Sequence, residues 1–302
     1  MKDLAGKVVL VTGGGSGIGR LLCKHFAGEG AIVVIWDIQE HLMKETAGQI
    51  AEESKDAQVH CYKVDLCQRE AIYDTAKQVK EEVGPVDVLV NNAGIVSGRR
   101  FLECSDEQIV RTMDVNVMAH MWTVKSFLPE MIERKQGHIV SIASAAGLTG
   151  VNGLADYCAS KWAAVGFDES LRLELQSMGL YGTIKTTVVC PFYINTGMFE
   201  GAKTRFPFLL PILEPEYVAL QIFGAVKKDK AVLFLPRLIG WISLFRFLLP
   251  TWLFDWGMDL LGINGSMDKF KGRGSHWAVG GSSGGGSSSS AAGGRGEGKK
   301  DK

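Results

Sequence analysis

Tyr157 and Lys161 lie four residues apart in the run YCASK, and Ser144 stands thirteen positions before the tyrosine. Residues four apart on a helix share a face, so we expect the lysine ammonium close to the tyrosine phenol. A phenol ordinarily has a pKa of about 10, and a nearby cation lowers that pKa toward neutral pH. The phenol is then expected to act as a general acid or base, with the Ser144 hydroxyl holding an alcohol or carbonyl oxygen in front of it. The same spacing also occurs on ordinary amphipathic helices, so the rest of the chain decides between the two interpretations.

A glycine-rich run near the start of the chain has the surroundings of a phosphate-binding turn. It spans residues 12–19 (TGGGSGIG), between an apolar strand-like run at residues 7–11 and a helical pattern that begins at Arg20. Glycines allow the backbone to turn sharply and approach a pyrophosphate, whose charge is met by the helix N-terminus. We therefore predict a dinucleotide site here. Its turn contacts are assigned to Gly13, Ser16, Gly17, Ile18 and Gly19.

Asp37 ends the next strand-like run, residues 31–36, and stands eighteen residues after Gly19. A carboxylate at this place accepts hydrogen bonds from the adenosine ribose and repels a 2′-phosphate. The alternative is a surface aspartate that only closes the strand. We expect NAD(H) as the cofactor and NADP(H) to be disfavoured, although the cation of Arg20 could offset part of the repulsion.

The remaining chain repeats an alternation of apolar strands and helical patterns. The strand-like runs are residues 59–64, 86–90, 137–142 and 183–189, and the helical patterns are residues 70–83, 105–133 and 156–177. Polar or small residues close each strand, as expected where a ligand lies beyond the carboxyl ends of a parallel sheet. We predict a single doubly wound α/β Rossmann domain with a parallel sheet over residues 1–235, including a substrate loop at about residues 195–220.

Together, the glycine motif T-G-x-x-x-G-x-G, the run N-N-A-G, Ser144 and Y-x-x-x-K resemble the short-chain dehydrogenase/reductase family over roughly residues 3–240. The resemblance implies a catalytic tetrad of Asn116, Ser144, Tyr157 and Lys161. Tyr157 would exchange the hydroxyl proton while a hydride moves to or from the nicotinamide. Lys161 would bind the nicotinamide ribose, and Asn116 would order a proton-relay water. The cofactor contacts that the resemblance implies beyond the glycine turn are Asp65, Leu66, Asn91, Asn92, Ala93, Gly94, Tyr157, Lys161, Pro191 and Thr196.

Two of these assignments have structural alternatives. Asn116 could cap or kink a helix, and Asp65 could be the N-cap of the following helix.

A narrower resemblance is carried by VVIWDI, NNAGIVSG and the late MDKFKGR, which look like the membrane-associated retinol and 17-beta-hydroxysteroid dehydrogenase branch. That branch implies hydride transfer between NAD(H) and a lipophilic alcohol or carbonyl, such as a retinoid, a steroid or a long-chain alcohol. It also implies a cytosol-facing place on the endoplasmic reticulum membrane or on lipid droplets, with a soluble cytoplasmic protein as the alternative. Members of the branch usually begin with an apolar anchor, so we expect that an anchor was removed or was never present.

Two other functions stay open on the sequence alone. One is a broad NADPH-dependent carbonyl reductase, and the other is a membrane or lipid-droplet scaffold with a vestigial cofactor site. The intact set of Ser144, Tyr157 and Lys161 argues against the scaffold. The expected partners are a small lipophilic substrate, a second copy of the chain and a peripheral membrane or droplet surface.

Composition excludes other classes of function. The chain has 33 basic and 33 acidic residues, so no net charge favours a nucleic-acid partner. Its six cysteines show no metal-ligand spacing, and we expect no metal.

The end of the chain departs from the alternation of strands and helices. Residues 236–271 are rich in Leu, Ile, Phe and Trp, but Pro236 and Pro250 interrupt them. No run reaches the roughly 20 apolar residues that a membrane-spanning helix needs. We therefore predict an interfacial or packing segment that lies on a membrane surface, a dimer partner or the substrate cleft. Residues 272–302 are rich in Gly and Ser, and we predict that this tail is disordered.

Overall fold

The computed structural model describes residues 3–272, and this part of the chain is built around one parallel β-sheet. Its described strands are β1 (Val8–Thr12), β2 (Ile32–Asp37), β3 (Val59–Lys63), β4 (Val88–Asn91), β5 (Gly137–Ile142), β6 (Ile184–Pro191) and β7 (Val232–Leu235). They lie in the order β3-β2-β1-β4-β5-β6-β7, and every neighbouring pair is parallel. Because the order reverses between β1 and β4, a crevice opens beyond the carboxyl ends of these strands.

Two layers of helices cover the sheet. The described α-helices are α1 (Gly17–Gly28), α2 (Glu40–Glu53), α3 (Arg69–Glu82), α4 (Asp106–Met113), α5 (Ala119–Arg134), α6 (Ala155–Ser177), α7 (Pro215–Lys227), α8 (Leu238–Leu248) and α9 (Thr251–Leu260). Apolar side chains of α1, α2 and α7 pack on one face of the sheet. Those of α3, α5 and α6 pack on the other face. The central strands are buried on both faces, as is typical of parallel sheets. The predicted doubly wound α/β Rossmann domain is confirmed.

The helical pattern at residues 105–133 is not one continuous α-helix. α4 ends at Met113, a π-helical turn covers Asp114–Met118, and α5 begins at Ala119. Such turns widen a helix locally and are frequent at functional sites. The interruption falls on Asn116, one of the residues assigned to catalysis.

The sequence patterns do not predict α7 and β7. α7 begins at Pro215, inside the interval of about 195–220 that was assigned to a substrate loop. A proline suits the first turn of a helix, and Val218 and Ile222 of α7 are buried in the core. β7 has only four residues at the sheet edge and directly precedes Pro236, so in sequence it merges with the apolar segment.

The apolar segment, residues 236–271, contains α8, α9 and an irregular final stretch. Ile239, Met258 and Ile263 are buried against Ala145 and Leu210. The exposed large apolar side chains of the two helices are Trp241, Leu244, Phe245, Phe247, Leu248, Trp252, Trp256 and Leu260. Over residues 3–272, no helix has both the length and the apolar character to span a bilayer. The tail predicted to be disordered, residues 272–302, lies outside the described residues except for Gly272.

Candidate functional site

A cavity of about 760 Å³ lies beyond the carboxyl ends of the strands, where the strand order reverses. This volume is within the range of roughly 300–1,000 Å³ that small-molecule and cofactor sites have. The sequence-predicted site residues that line it are Gly13, Ser16, Gly17, Ile18, Asp37, Asp65, Leu66, Asn92, Ala93, Gly94, Ser144, Tyr157, Lys161, Pro191 and Thr196. Gly19, Asn91 and Asn116 do not line it. The motifs that are scattered along the sequence thus meet at one edge of the sheet.

The glycine turn between β1 and α1 packs too closely against its neighbours to accommodate side chains at two of its glycines. At Gly13, which has a φ of +66°, a Cβ atom would lie 2.9 Å from the Cα of Ala93. At Gly19 a Cβ atom would overlap the carbonyl oxygen of Gly13, so this glycine serves the close contact between helix and turn. Ser16 is the N-cap residue of α1, and its side chain makes no capping hydrogen bond. An uncapped helix N-terminus beside an open cavity fits the pyrophosphate of a dinucleotide.

Asp37 stands at the carboxyl end of β2 and is buried. One carboxylate oxygen accepts a 3.0 Å hydrogen bond from the Gly15 amide, and the other accepts a 3.0 Å bond from the Gln39 amide. Arg20 does not line the cavity, because its guanidinium donates to the Gly15 carbonyl and to the Thr46 hydroxyl. The carboxylate of Asp37 therefore lines this end of the cavity without a bond from Arg20, and the suggested compensation by Arg20 has no support in these contacts.

The residues after β3 border the same end of the cavity. Asp65 and Leu66 line it, and Asp65 Oδ1 accepts a 3.0 Å hydrogen bond from the Cys67 amide. The N-cap residue of α3 is Gln68, so the alternative in which Asp65 caps this helix is wrong. Asp65 forms a local turn and presents its side chain next to the cavity.

The two asparagines after β4 have different surroundings. Asn92 lines the cavity, and its Nδ2 donates a 2.9 Å hydrogen bond to the Thr12 carbonyl, which joins the ends of β1 and β4. Asn91 is buried, and its Oδ1 accepts a 2.7 Å bond from the Thr123 hydroxyl of α5. The side chain of Asn91 thus contacts a helix and does not line the cavity, and its contact with the cofactor stays a prediction.

Helix α6 carries Tyr157 and Lys161 on one face, and the end of β5 meets that face. The Lys161 ammonium lies 5.7 Å from the centre of the Tyr157 ring and donates a 2.8 Å hydrogen bond to the Ile142 carbonyl. Ser144 follows β5 as the N-cap of a short 3₁₀ turn, and its Oγ accepts a 3.1 Å bond from the Ala146 amide. A phenol, an ammonium and a hydroxyl are thereby gathered beside one cavity.

Burial decides the protonation of these groups. It raises the pKa of the Tyr157 phenol above its ordinary value, and the hydrogen bond with Ser144 opposes this rise. Burial also lowers the pKa of the Lys161 ammonium to about 8. The expectation that Lys161 brings the pKa of Tyr157 down toward neutral pH is therefore wrong for this structure, because burial acts more strongly on the phenolate than any neighbouring group.

Asn116 lies behind the cavity in the π-helical turn and is fully buried. Its Oδ1 accepts a 2.9 Å hydrogen bond from the Ile95 amide, and its Nδ2 donates 2.9 Å bonds to the Ile95 carbonyl and to the Ser160 hydroxyl. It therefore joins the α4–α5 junction to the loop after β4 and to α6. A Cβ atom on Gly94 would lie 3.4 Å from Asn116 Oδ1 and 3.6 Å from Lys161 Nζ, so both atoms border the same small space.

Three aromatic residues that were not named individually also line the cavity: Phe192, Phe199 and Phe270. Phe192 lies in the segment 191–198 that the resemblance places over the nicotinamide, and Phe199 lies in the predicted substrate loop. Phe199 packs edge to face on Tyr157, with ring centres 5.7 Å apart. No local motif marks these residues, because an aromatic side chain in a loop has the same sequence signal wherever it packs. The run MDKFKGR, which contains Phe270 and carries part of the narrower resemblance, was the one sequence signal that could have indicated a site residue in this segment.

Comparison with known proteins agrees with this site. A profile of the short chain dehydrogenase family matches residues 7–205. The chain is 50% identical over 269 residues to epidermal retinol dehydrogenase 2 of Homo sapiens, covering 89% of this chain and 86% of that protein. It resembles the structure of a short chain dehydrogenase/reductase from Burkholderia phymatum in complex with NAD, with a TM-score of 0.72, 26% identity and coverage of 82% and 95%. It also resembles a metagenomic short-chain oxidoreductase in complex with NADP, with a TM-score of 0.63, 27% identity and coverage of 76% and 95%.

These findings identify the family and its class of chemistry. The profile match covers well over half of the chain and includes the glycine turn, Ser144, Tyr157 and Lys161. Because the structural neighbours hold NAD in one case and NADP in the other, they identify a dinucleotide and no preference between the two. The chain therefore belongs to the short-chain dehydrogenase/reductase family of NAD(P)-dependent oxidoreductases.

Proposed function

We propose that this protein transfers a hydride between NAD(H) and a lipophilic alcohol or carbonyl of the retinol class. The observation that carries the substrate class is a second, small cavity of about 40 Å³ that shares Ser144 and Tyr157 with the large one. Its other walls are almost entirely apolar and include Leu148, Val151, Leu154, Phe192, Leu210, Ile239, Met258 and Ile263. An apolar wall beside the phenol favours a substrate whose reacting oxygen is attached to a hydrocarbon skeleton. The sequence identity to a retinol dehydrogenase supports the same class.

In this proposal, each member of the tetrad has one role. Tyr157 gives or takes the proton of the substrate oxygen at its phenol oxygen, and Ser144 holds that oxygen beside the phenol. Lys161 binds the nicotinamide ribose. The nicotinamide, when bound, supplies or accepts the hydride.

Asn116 is proposed to hold a relay water. Both of its N–H groups and one lone pair of its Oδ1 are used by Ile95 and Ser160, which leaves one lone pair on Oδ1. The space beside Gly94 borders that oxygen and Lys161 Nζ, and it supports a water that connects the two.

We propose NAD(H) rather than NADP(H) as the cofactor. The support is Asp37, whose carboxylate lines the cavity while Arg20 is engaged elsewhere. A 2′-phosphate next to this carboxylate would be repelled. The alternative of a broad NADPH-dependent carbonyl reductase requires this repulsion to be offset, and no basic side chain bonds to Asp37 among the described residues.

A peripheral place on the endoplasmic reticulum membrane or a lipid droplet is part of the proposal. Its support is the number of exposed aromatic and aliphatic side chains on α8 and α9. Protein surfaces commonly show single exposed apolar residues, whereas many on one segment are typical of an interaction site. A homodimer is proposed on the family resemblance alone. A scaffold with a vestigial site is not favoured, since the tetrad is complete.

The test is a substrate and cofactor screen with the purified protein. Retinol, estradiol, farnesol and a small soluble alcohol are each offered with NAD⁺ and with NADP⁺, the lipophilic compounds being presented in liposomes. We expect oxidation of retinol with NAD⁺ at the highest kcat/KM. Faster reduction of small soluble carbonyls with NADPH would favour the carbonyl reductase. Cofactor binding without turnover of any of these compounds would favour the scaffold.

A further inference from the structure

The last described residues of the chain border the large cavity, which Phe270, Lys271 and Gly272 line. We call residues 263–272 the strap. Its backbone is bonded to the loop that follows β6, where the Lys271 amide donates a 2.8 Å hydrogen bond to the Glu200 carbonyl and the Lys203 amide donates a 3.0 Å bond to the Ser266 carbonyl. The strap and the loop are therefore joined by backbone hydrogen bonds at the border of the cavity.

The apolar side chains of the strap lie next to the phenol. Met267 is buried in a cluster with Tyr157, Leu154 and Ala146, and Phe270 packs against the same cluster. The Tyr193 hydroxyl and the Ser266 hydroxyl are hydrogen-bonded at 2.9 Å. The strap is thus anchored by packing and by a buried polar contact in addition to its backbone bonds.

Two glycines make room for the strap. A Cβ atom on Gly98 would overlap the ring of Phe270, and a Cβ atom on Gly201 would overlap the carbonyl oxygen of Lys269. Both glycines also have positive φ angles, +63° and +88°. The strap consequently fits against the loops after β4 and β6 only while these two positions carry no side chain.

A row of aromatic rings connects the strap to the reacting group. Phe270 packs on Phe199 with ring centres 6.4 Å apart, and Phe199 packs edge to face on Tyr157 at 5.7 Å. Phe199 lines both cavities, and Phe270 lines the large one together with Lys271. We call Phe199 and Phe270 the wall. An apolar surface of this kind contributes to binding in proportion to the apolar area that a substrate buries against it.

We propose that Phe270, acting through Phe199, is a specificity-determining residue that selects an elongated apolar substrate over a small one. This inference rests on the proposed oxidoreductase function and names the element that distinguishes its substrates. A long hydrocarbon substrate buries surface against the wall, whereas a small alcohol that reaches only Ser144 and Tyr157 does not. Loss of the Phe270 ring should therefore weaken binding of the long substrate and leave the small one unaffected.

The experiment compares two variants of the full chain. Phe270→Ala removes the ring, and Gly98→Ala displaces it, because the added Cβ atom would overlap the ring. For both variants of the full chain, we expect the Kd of retinol for the NADH-bound protein to rise at least tenfold, measured by energy transfer from tryptophan. The KM for retinol should rise with little change in kcat, and kcat/KM for a small soluble alcohol should stay within twofold of the parent value. The Kd of NADH should not change.

Three matched variants act as controls. Phe270→Tyr keeps the ring and should restore retinol binding. Phe208→Ala removes an exposed phenylalanine of the loop after β6, and Gly179→Ala places a Cβ atom in open space at a φ of +74°. Both variants should bind retinol like the parent. Phe208→Ala then shows that loss of a phenylalanine elsewhere has no effect, and Gly179→Ala shows that backbone strain at a positive-φ glycine has none.

The outcomes separate this inference from the proposed function. An unchanged retinol Kd in both variants, or an equal loss of activity toward long and small alcohols, would overturn the role of Phe270. A weaker Kd for NADH in Phe270→Ala would assign the residue to the cofactor site instead. If the parent binds retinol in a way that depends on Phe270 but does not oxidise it, the proposed function is overturned and the role of Phe270 in substrate binding is supported. If the parent does not bind retinol, the role of Phe270 in selecting a long substrate is overturned, even if the small alcohol is oxidised.

Discussion

Lys161 Nζ lies 5.7 Å from the centre of the Tyr157 ring while it donates a 2.8 Å hydrogen bond to the Ile142 carbonyl. Ser144 follows Ile142 by two residues at the same strand end. Helix α6 thus supplies the phenol and the ammonium, and the end of β5 determines where both meet the serine. Since a backbone carbonyl holds Lys161, its position does not depend on the charge of a titrating partner.

Tyr157→Phe tests the proposed proton transfer. The change removes the phenol oxygen and keeps the ring that packs on Phe199. We expect kcat to fall roughly 100- to 10,000-fold, as is usual for loss of a general acid or base. NADH binding, followed by its fluorescence, should stay unchanged. The exposed Tyr181→Phe is the control, and turnover near the parent rate in Tyr157→Phe would contradict the role of the phenol.

Asp37→Asn tests the cofactor preference. The amide oxygen can still accept the hydrogen bond from Gly15, but the negative charge is removed. Removal of the like-charge repulsion should change the relative free energy by about 2 kcal/mol, so we expect the preference of kcat/KM for NAD over NADP to fall by roughly ten- to a hundredfold. Glu52→Gln, on the exposed surface of α2, controls for the loss of a distant charge. Equal use of the two cofactors by the parent protein would contradict the prediction.

The sheet and the cofactor end of the site could be predicted because their signals are local. An apolar strand followed by glycines and a helix determines a turn through the backbone alone, and the strand predicted at residues 137–142 is Gly137–Ile142 in the structure. The other predicted strands differ from the structure by a few residues at their ends, where hydrogen bonding to neighbouring strands decides the boundary.

The substrate end could not be predicted in the same way, because it depends on contacts between distant parts of the chain. β7 becomes a strand by pairing with β6, and Phe270 becomes a wall residue because Gly98 and Gly201 allow the strap to approach. The pKa of Tyr157 also depends on burial, which the spacing of Tyr157 and Lys161 does not reveal. These are tertiary effects that override a local pattern.

His120→Leu tests a pH effect of the core. The imidazole of His120 on α5 is fully buried, and neither ring nitrogen has a hydrogen-bond partner among residues 3–272. Burial, with a smaller contribution from the charge of Lys161, lowers its pKa from 6.5 to about 3. Below pH 6.5 the unfolded chain binds a proton that the folded protein does not, so stability is lost as the pH falls from 6.5 toward 3.

The variant should lack this loss. Between pH 7 and pH 4.5, we expect the free energy of unfolding of the parent to fall by roughly 3 kcal/mol more than that of His120→Leu, since the parent crosses about two pH units of this window. Urea unfolding at the two pH values measures the difference. The exposed His41→Leu should keep the acid sensitivity of the parent. Parallel pH dependence of the parent and His120→Leu would contradict the prediction.

Substitution of exposed side chains on α9 tests the proposed membrane contact better than deletion of the segment. Met258 and Ile263 are buried against Leu210, so deletion would open the core. Trp252 and Trp256 are 72% and 61% exposed, and they can be replaced without this effect.

We expect Trp252→Ser combined with Trp256→Ser to release the protein from liposomes in a flotation assay, because tryptophan side chains contribute much of the apolar area that a peripheral helix buries in the interface. The KM for retinol presented in liposomes should rise, while the KM for a small soluble alcohol should not change. Leu102→Ser replaces a 95% exposed apolar residue elsewhere on the surface and should float like the parent. If the parent fails to float and the double variant instead dissociates a dimer in light scattering, the segment is a packing surface between subunits and the membrane contact is wrong.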